Sequence, residues 1–398
     1  MSSESAAVPR PHHPDPDRLP VRRMTPRSRD EPHRVATPLE LFFDLCFVVA
    51  VGQAGRELAH DLADGHYGAG LTGYVFAFFA IWWAWMNFTW FASAYDCDDV
   101  PYRVTTLVQI AGVLILAAGV PRMFADQDLV LSVVGYVVMR LAMVTQWLRA
   151  AASEEGQART VALRYAAGIT VCQIAWVVML ALPHDVRPYL IPLGILAELS
   201  VPVIAELRVR TPWHPHHIAE RYGLFTLIVL GETVAAATVA VQSAADEHEG
   251  LARLLPVAGG GLLICFAAWW IYFARSVHDH LRSNRQAFLW GYGHYLVYGS
   301  AAAIGAGLEV AVESAVHKAH ISETAATATV TVPTAIYLFT VWLLHARHVK
   351  TGVEQALLPA ASVAVLACTA AGGSGVLAAG LVSALTVAVG VVLHARTA

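Results

Sequence analysis

Apolar runs about as long as a bilayer is thick follow one another along this chain, separated by short polar breaks. A helix rises 1.5 Å per residue, so crossing a hydrocarbon core of about 30 Å takes roughly 17–25 residues. Segments of that length lie near 38–58, 69–92, 102–121, 128–149, 160–182, 187–206, 218–241, 252–276, 286–311, 324–346, 355–372 and 375–394. Only Gly372-Gly373-Ser374-Gly375 separates the last two. The pattern predicts an all-α, polytopic transmembrane helix bundle of about twelve spans.

Composition agrees with that class. The chain is 57% hydrophobic and 14% charged, whereas soluble domains carry roughly a quarter charged residues. A net charge of -4 leaves no basis for a bulk nucleic-acid partner; the partner implied is the lipid bilayer. Residues 1–36 are rich in Pro, Arg, Asp and Ser without an apolar core, and read as a disordered cytoplasmic tail. Basic residues give the orientation, because Lys and Arg near span ends favour the cytoplasm. With the tail inside, about twenty fall on cytoplasmic segments, Arg221 among them, and only Arg56, Arg122, Arg187, Arg253 and Lys318 fall outside. The chain is therefore expected in the inner membrane with a cytoplasmic N-terminus.

A faint similarity recurs at an offset of about 180–195 residues. Leu41-Phe42 matches Leu224-Phe225, Trp82-Trp83 matches Trp269-Trp270, and Trp147 matches Trp342. Carriers are often built from repeats, so the expected organisation is two parallel six-span halves, 37–206 and 207–398.

Polar residues inside the apolar runs carry the candidate chemistry, because an intramembrane charge is expensive and must be paired or face water. Thr37-Pro38-Leu39-Glu40 reads as a capping box, with Thr37 as N-cap and Glu40 reaching back. Asp44 lies one turn deeper, where no cap explains it. Counting from span ends puts Asp44 about 10 Å, Glu198 about 12 Å and Arg140 about 13 Å above the cytoplasmic boundary. Arg140 can thus pair with Asp44 or with Glu198. Asn87, Gln109 and His294 fall at similar depth, which suggests a shared polar cavity. Glu232 is about 21 Å in, where desolvation favours the neutral form, as in a proton-coupling carboxylate or a buried protonated one. Asp98, Asp99 and Pro101 read as a helix cap at a turn.

Other motifs change the picture little. His214-Pro215-His216-His217 and His278-Asp279-His280 lack the spacing of a zinc site and read as loop or interfacial residues. The five cysteines show no CxxC spacing, and no phosphate-binding glycine loop or nucleophile–base motif identifies a cofactor or an enzyme class. Trp85 and Trp90 read as a headgroup-level belt, whereas the deeper Trp82 and Trp83 either pack between helices or line a substrate path.

Several stretches resemble one family in particular. Thr37-Pro38-Leu39-Glu40-Leu41-Phe42-Phe43-Asp44-Leu45, Trp85-Met86-Asn87-Phe88, Tyr95 with Asp96, Asp98 and Asp99, Tyr136-Val137-Val138-Met139-Arg140, and Glu220-Arg221-Tyr222-Gly223-Leu224-Phe225 through Gly231-Glu232 are similar to the bacterial low temperature requirement A family. The resemblance covers about residues 34–395 and implies an integral membrane protein tied by name to growth in the cold. It brings no substrate, cofactor or catalytic residue with it. Three functions stay open: a secondary transporter or permease of a small molecule or ion, a membrane-embedded enzyme acting on a lipid or small molecule, and a non-catalytic stress-tolerance protein. The carrier leads, on the strength of the repeat and Glu232.

Overall fold

Thr37 begins the first helix as its spacing to Glu40 requires. The Glu40 amide donates to the Thr37 hydroxyl at 3.3 Å, and the Glu40 carboxylate accepts from the Thr37 amide at 2.7 Å. Asp99 caps the third helix in the same manner, accepting from the Tyr102 amide at 2.9 Å, with Pro101 in the first turn. Asp98 instead holds a positive φ of 45° and grips Arg103 through both carboxylate oxygens.

The computed structural model describes residues 21–28, 35–246, 251–274, 281, 283–347 and 352–397. Its helices are α1 Pro38–Ala63, α2 Tyr67–Tyr95, α3 Val100–Ala125, α4 Val130–Ser153, α5 Gly156–Leu180, α6 Arg187–Ala205, α7 Pro215–Asp246, α8 Leu251–Phe273, α9 Asn284–Ala315, α10 Glu323–Val341, α11 Val353–Ala367 and α12 Gly375–Thr397. No strand is present among the described residues. Most helices overrun the expected apolar segments by a few residues. Ten segments among the described residues are long and apolar enough to cross a membrane, the last of them, Val353–Ala395, holding both α11 and α12.

Loops gather on two faces. On one, Asn284 bonds Glu206, Arg149 bonds Asp99, and the Met24 amide donates to Ser153. On the other, the His320 amide donates to the Ala63 carbonyl, Arg253 meets His317, and Gly373 donates to Glu323. The first is called the N-terminal face below. Residues 21–28, read from composition as part of a disordered tail, lie against this face with Met24 buried. The Arg22 amide donates to Asp99 at 2.9 Å and the Arg27 amide to the Ala94 carbonyl at 3.0 Å.

α1 packs on α2 and α3, α3 on α4, α4 on α5 and α5 on α6; α7 to α12 follow the same order and add a broad α8–α12 contact that α2 and α6 do not match. The α3–α4 and α9–α10 pairs are each held together through glycine. A Cβ added to Gly135 would stand 2.3 Å from the Leu116 amide nitrogen, and one added to Gly307 would stand 2.1 Å from the Thr329 carbonyl oxygen. Small residues admit such backbone approach, and in lipid van der Waals packing is what holds helices together.

Candidate functional site

Glu40 and Asp44 are one turn apart on α1, and His217 and Arg221 are one turn apart on α7, so each pair shares one helix face. Those two faces meet. Arg221 donates to Asp44 through Nε at 3.0 Å and Nη2 at 2.5 Å, while its Nη1 lies 3.0 Å from Glu40 Oε1. His217 Nε2 lies 3.2 Å from the same Glu40 oxygen, and Trp85 on α2 donates to Asp44 Oδ1 at 2.7 Å. None of the four ionisable groups is accessible to solvent. A two-pronged guanidinium–carboxylate contact is among the strong hydrogen-bonded pairs, and here it ties the first helices of the two halves together.

This corrects two readings from the sequence. Arg221 is not a cytoplasmic flanking charge: α7 starts at Pro215, so Arg221 is six residues inside, about 9 Å, as Asp44 is inside α1. His217 is likewise a buried helical residue and not a loop residue. Glu40 does form the capping box and also shares Arg221. The matching i, i+4 spacings on the two helices were the signal in the sequence.

Arg140 pairs with Glu198, at 2.8 Å, and not with Asp44. Glu198 on α6 accepts in addition from Trp83 at 3.0 Å, Tyr136 at 3.2 Å, Gln173 at 3.0 Å and Trp176 at 3.3 Å. Donors from α2, α4 and α5 thus replace water around one buried carboxylate. Asn87 donates to the Trp83 carbonyl at 2.8 Å, and Gln109 is buried on α3.

His294 belongs to a third group. Its Nδ1 lies 2.8 Å from the Trp290 carbonyl, which can only accept, so Nδ1 carries the proton and Nε2 accepts from the Tyr272 hydroxyl at 3.0 Å. The six residues expected at one depth are all buried, yet they divide between separate networks rather than lining one cavity. Trp82, Trp83 and Trp85 lie between helices, with Trp83 and Trp85 each donating to a buried carboxylate.

Glu232 stands apart. It lines a cavity of about 270 Å³ between α1, α7 and α9, with Arg56, Glu309, Glu313 and Lys318. These residues lie toward the face opposite the N-terminal one. Arg56 Nη1 is 3.9 Å from Glu232 Oε1, and Arg56 Nη2 donates to Gln53 at 2.6 Å. The carboxylate sits over Gly52, where a Cβ would come within 2.1 Å of Oε1. Glu232 is 28% exposed, so it is a water-contacting carboxylate and not a fully buried one. Glu309 and Glu313 were missed from the sequence. They are one turn apart on α9, but nothing in the chain says that their face meets Glu232.

Near the N-terminal face, outside the spans, Asp99 and Glu206 are among the carboxyls with displaced pKa values. Burial alone would raise Asp99, but the amides of Arg22 and Tyr102 and the Arg149 guanidinium hold it below its usual value. Burial raises Glu206, against the lowering effect of hydrogen bonds from Thr211, Tyr165 and Asn284. His278, Asp279 and His280 lie outside the described residues. Among those described, no three His, Cys, Asp or Glu side chains are grouped to hold a metal.

The family model described as Bacterial low temperature requirement A protein matches residues 35–395 of the chain. A protein of Rhizobium meliloti (strain 1021) that bears the name "Uncharacterized protein RA0937" is 27% identical over 278 residues, which is 65% of this chain and 65% of that protein. Helices of this length and apolarity, together with that match, make the chain a multi-pass membrane protein.

Proposed function

The chain belongs to the bacterial low temperature requirement A protein family, and on that premise we propose that it is a secondary carrier of the inner membrane with Glu232 as its coupling carboxylate. The observation that carries the reading is the position of Glu232 beside Arg56 in a cavity whose lining runs out to Lys318 on the face opposite the N-terminal one. On the same two helices, toward the other face, the Asp44–Arg221 and Glu40–Arg221 contacts close the path. Val51 in the cavity wall is seven residues from Asp44, about 10 Å along α1. An open vestibule above a charged closure is what a carrier needs in one of its two states.

The bias of basic residues supports placing the N-terminal face in the cytoplasm, so the cavity opens outward. The matching order of neighbours in the two halves supports a parallel repeat, with α1 and α7 as equivalent helices that meet at the closure. A cavity of about 270 Å³ suits a small molecule or ion, since sites for drug-sized ligands start near 300 Å³. Protonating Glu232 would release Arg56, and that change in charge is the step by which proton entry would bias α1 against α7.

The test begins with a thermal-shift screen of the purified protein against ions and small metabolites, because a ligand of the native state raises stability by mass action. Each stabilising compound is then offered to proteoliposomes under a pH gradient. The expected result is gradient-driven uptake that disappears in Glu232→Gln, whose unfolding free energy stays within about 1 kcal/mol of wild type. Full uptake by Glu232→Gln would refute the coupling role. Absence of any gradient-driven flux with every stabilising compound would refute the carrier.

A further inference from the structure

A second cavity, of about 510 Å³, lies between α8, α10, α11 and α12 in the half of the membrane nearest the N-terminal face. At its wall α10 changes character: Trp342–Ala346 continue the helix as a π turn. Such turns are rare and occur often at functional sites. His345 sits on this turn, 9% exposed; one ring nitrogen donates to the Tyr272 backbone carbonyl, and the other has no hydrogen-bond partner. Buried polar side chains are nearly always bonded, and an orphan of this kind needs a reason. The neighbouring Tyr272 hydroxyl gives its one proton to His294 and cannot also donate to that free nitrogen.

The remaining wall defines what the histidine could hold. Trp269, Tyr272 and Phe273 of α8 stand on one side, with Leu358 of α11 and Val391 of α12 opposite. The described lining holds no Asp, Glu, Lys or Arg, its other polar groups being Thr386 and His394 of α12, and a mostly apolar wall favours an uncharged ligand. The remaining nitrogen of a neutral His345 ring is an acceptor, which matches a hydroxyl. Aromatic walls favour a flat ring, through offset or edge-on contact. Trp269 is also half-exposed on the outer surface of α8, which gives the cavity a side open to lipid.

We propose that this cavity is a binding site for a neutral, ring-headed molecule of the lipid phase, of the phenol or quinol class, whose hydroxyl is held by His345 between the aromatic side chains of α8. The site is distinct from the Glu232 cavity and does not rest on the carrier reading. Only binding is assigned to it.

The experiment uses the full chain in nanodiscs, with decylubiquinol as the probe and tryptophan fluorescence quenching as the readout. Saturable binding is expected. His345→Phe keeps a ring and removes the hydrogen bond, and should weaken binding about tenfold. Val391→Trp should abolish binding by filling the cavity from its exposed rim. Both variants should melt as wild type does without ligand. Three results would overturn the proposal: no saturable binding to wild type, binding unchanged in the variants that fold, or decanol bound as tightly as decylubiquinol. The last would mark an acyl-chain groove only. Should His345→Phe fail to fold, Val391→Trp decides alone.

Discussion

Arg221 and Arg140 are each buried within the helix bundle, with carboxylate partners inaccessible to solvent. A buried pair is a weak source of net stability, but removing one member leaves an uncompensated charge and costs about 3–5 kcal/mol. Arg221→Ala and Arg140→Ala should each lose that amount in reversible unfolding from bicelles. Adding Asp44→Asn to the first, or Glu198→Gln to the second, should recover part of the loss. Arg140 and Asp44 have separate partners, so Arg140→Ala with Asp44→Asn should be additive to within about 0.5 kcal/mol. Strong coupling in that cross-pair, with additivity for Arg140 and Glu198, would show the assignments to be reversed.

Among the elements, the strap of residues 21–28 is held in part by Asp99, which also caps α3, beside contacts to Ser153, the Ala94 carbonyl and Asp96. Asp99 has a folded-state pKa below its usual value, so its contribution is present above the unfolded pKa and is lost as pH falls through the folded one. Trypsin should therefore leave Arg22, Arg23 and Arg27 intact at neutral pH, and a nitroxide attached at the exposed position 23 (Arg23→Cys) should become mobile once the medium is acidified below the ordinary carboxylate range, near 3.9. Asp99→Asn should be cut by trypsin at neutral pH; a protected Asp99→Asn strap would mean that Met24 burial and the Ser153, Ala94 and Asp96 contacts suffice. The glycine crossings act on whole helices. Gly135→Leu and Gly307→Leu should each force two backbones apart and destabilise by several kcal/mol, well beyond the ordinary 0.5–3 kcal/mol range. Losses under about 1 kcal/mol would show that the helices can move apart freely.

At the scale of the molecule, the grouping of loops on two faces makes the direction of α5 a test of the whole alternation. Cysteines at the exposed Gln157 and Asp185 positions, which flank α5, should react with an impermeant maleimide from opposite sides of the membrane. With the N-terminal face in the cytoplasm, intact cells should label Asp185→Cys and spare Gln157→Cys. Labelling of both from outside would break the topology; the reverse pattern would invert it and turn the Glu232 cavity inward.

What the amino-acid order determined by itself is whatever depends on distance along one helix. Apolar run lengths set the helices, Thr37 and Asp99 set two starts, and charges such as Asp44, Arg140 and Glu198 were legible as residues needing partners. Even the Arg140–Glu198 pair was within reach, as one of two choices at equal depth. Tertiary structure decided everything that depends on the rotation and adjacency of helices. Depth counts say how far a residue lies along an axis but not which way it faces, so Asp44 goes to Arg221 and the six expected site residues divide among networks. A cavity is defined by atoms that are missing between helices, and small residues such as Gly52 and Gly305 give no sign in sequence of what they face. For the same reason the open ring nitrogen of His345 could be seen only once α8, α10, α11 and α12 stood around it.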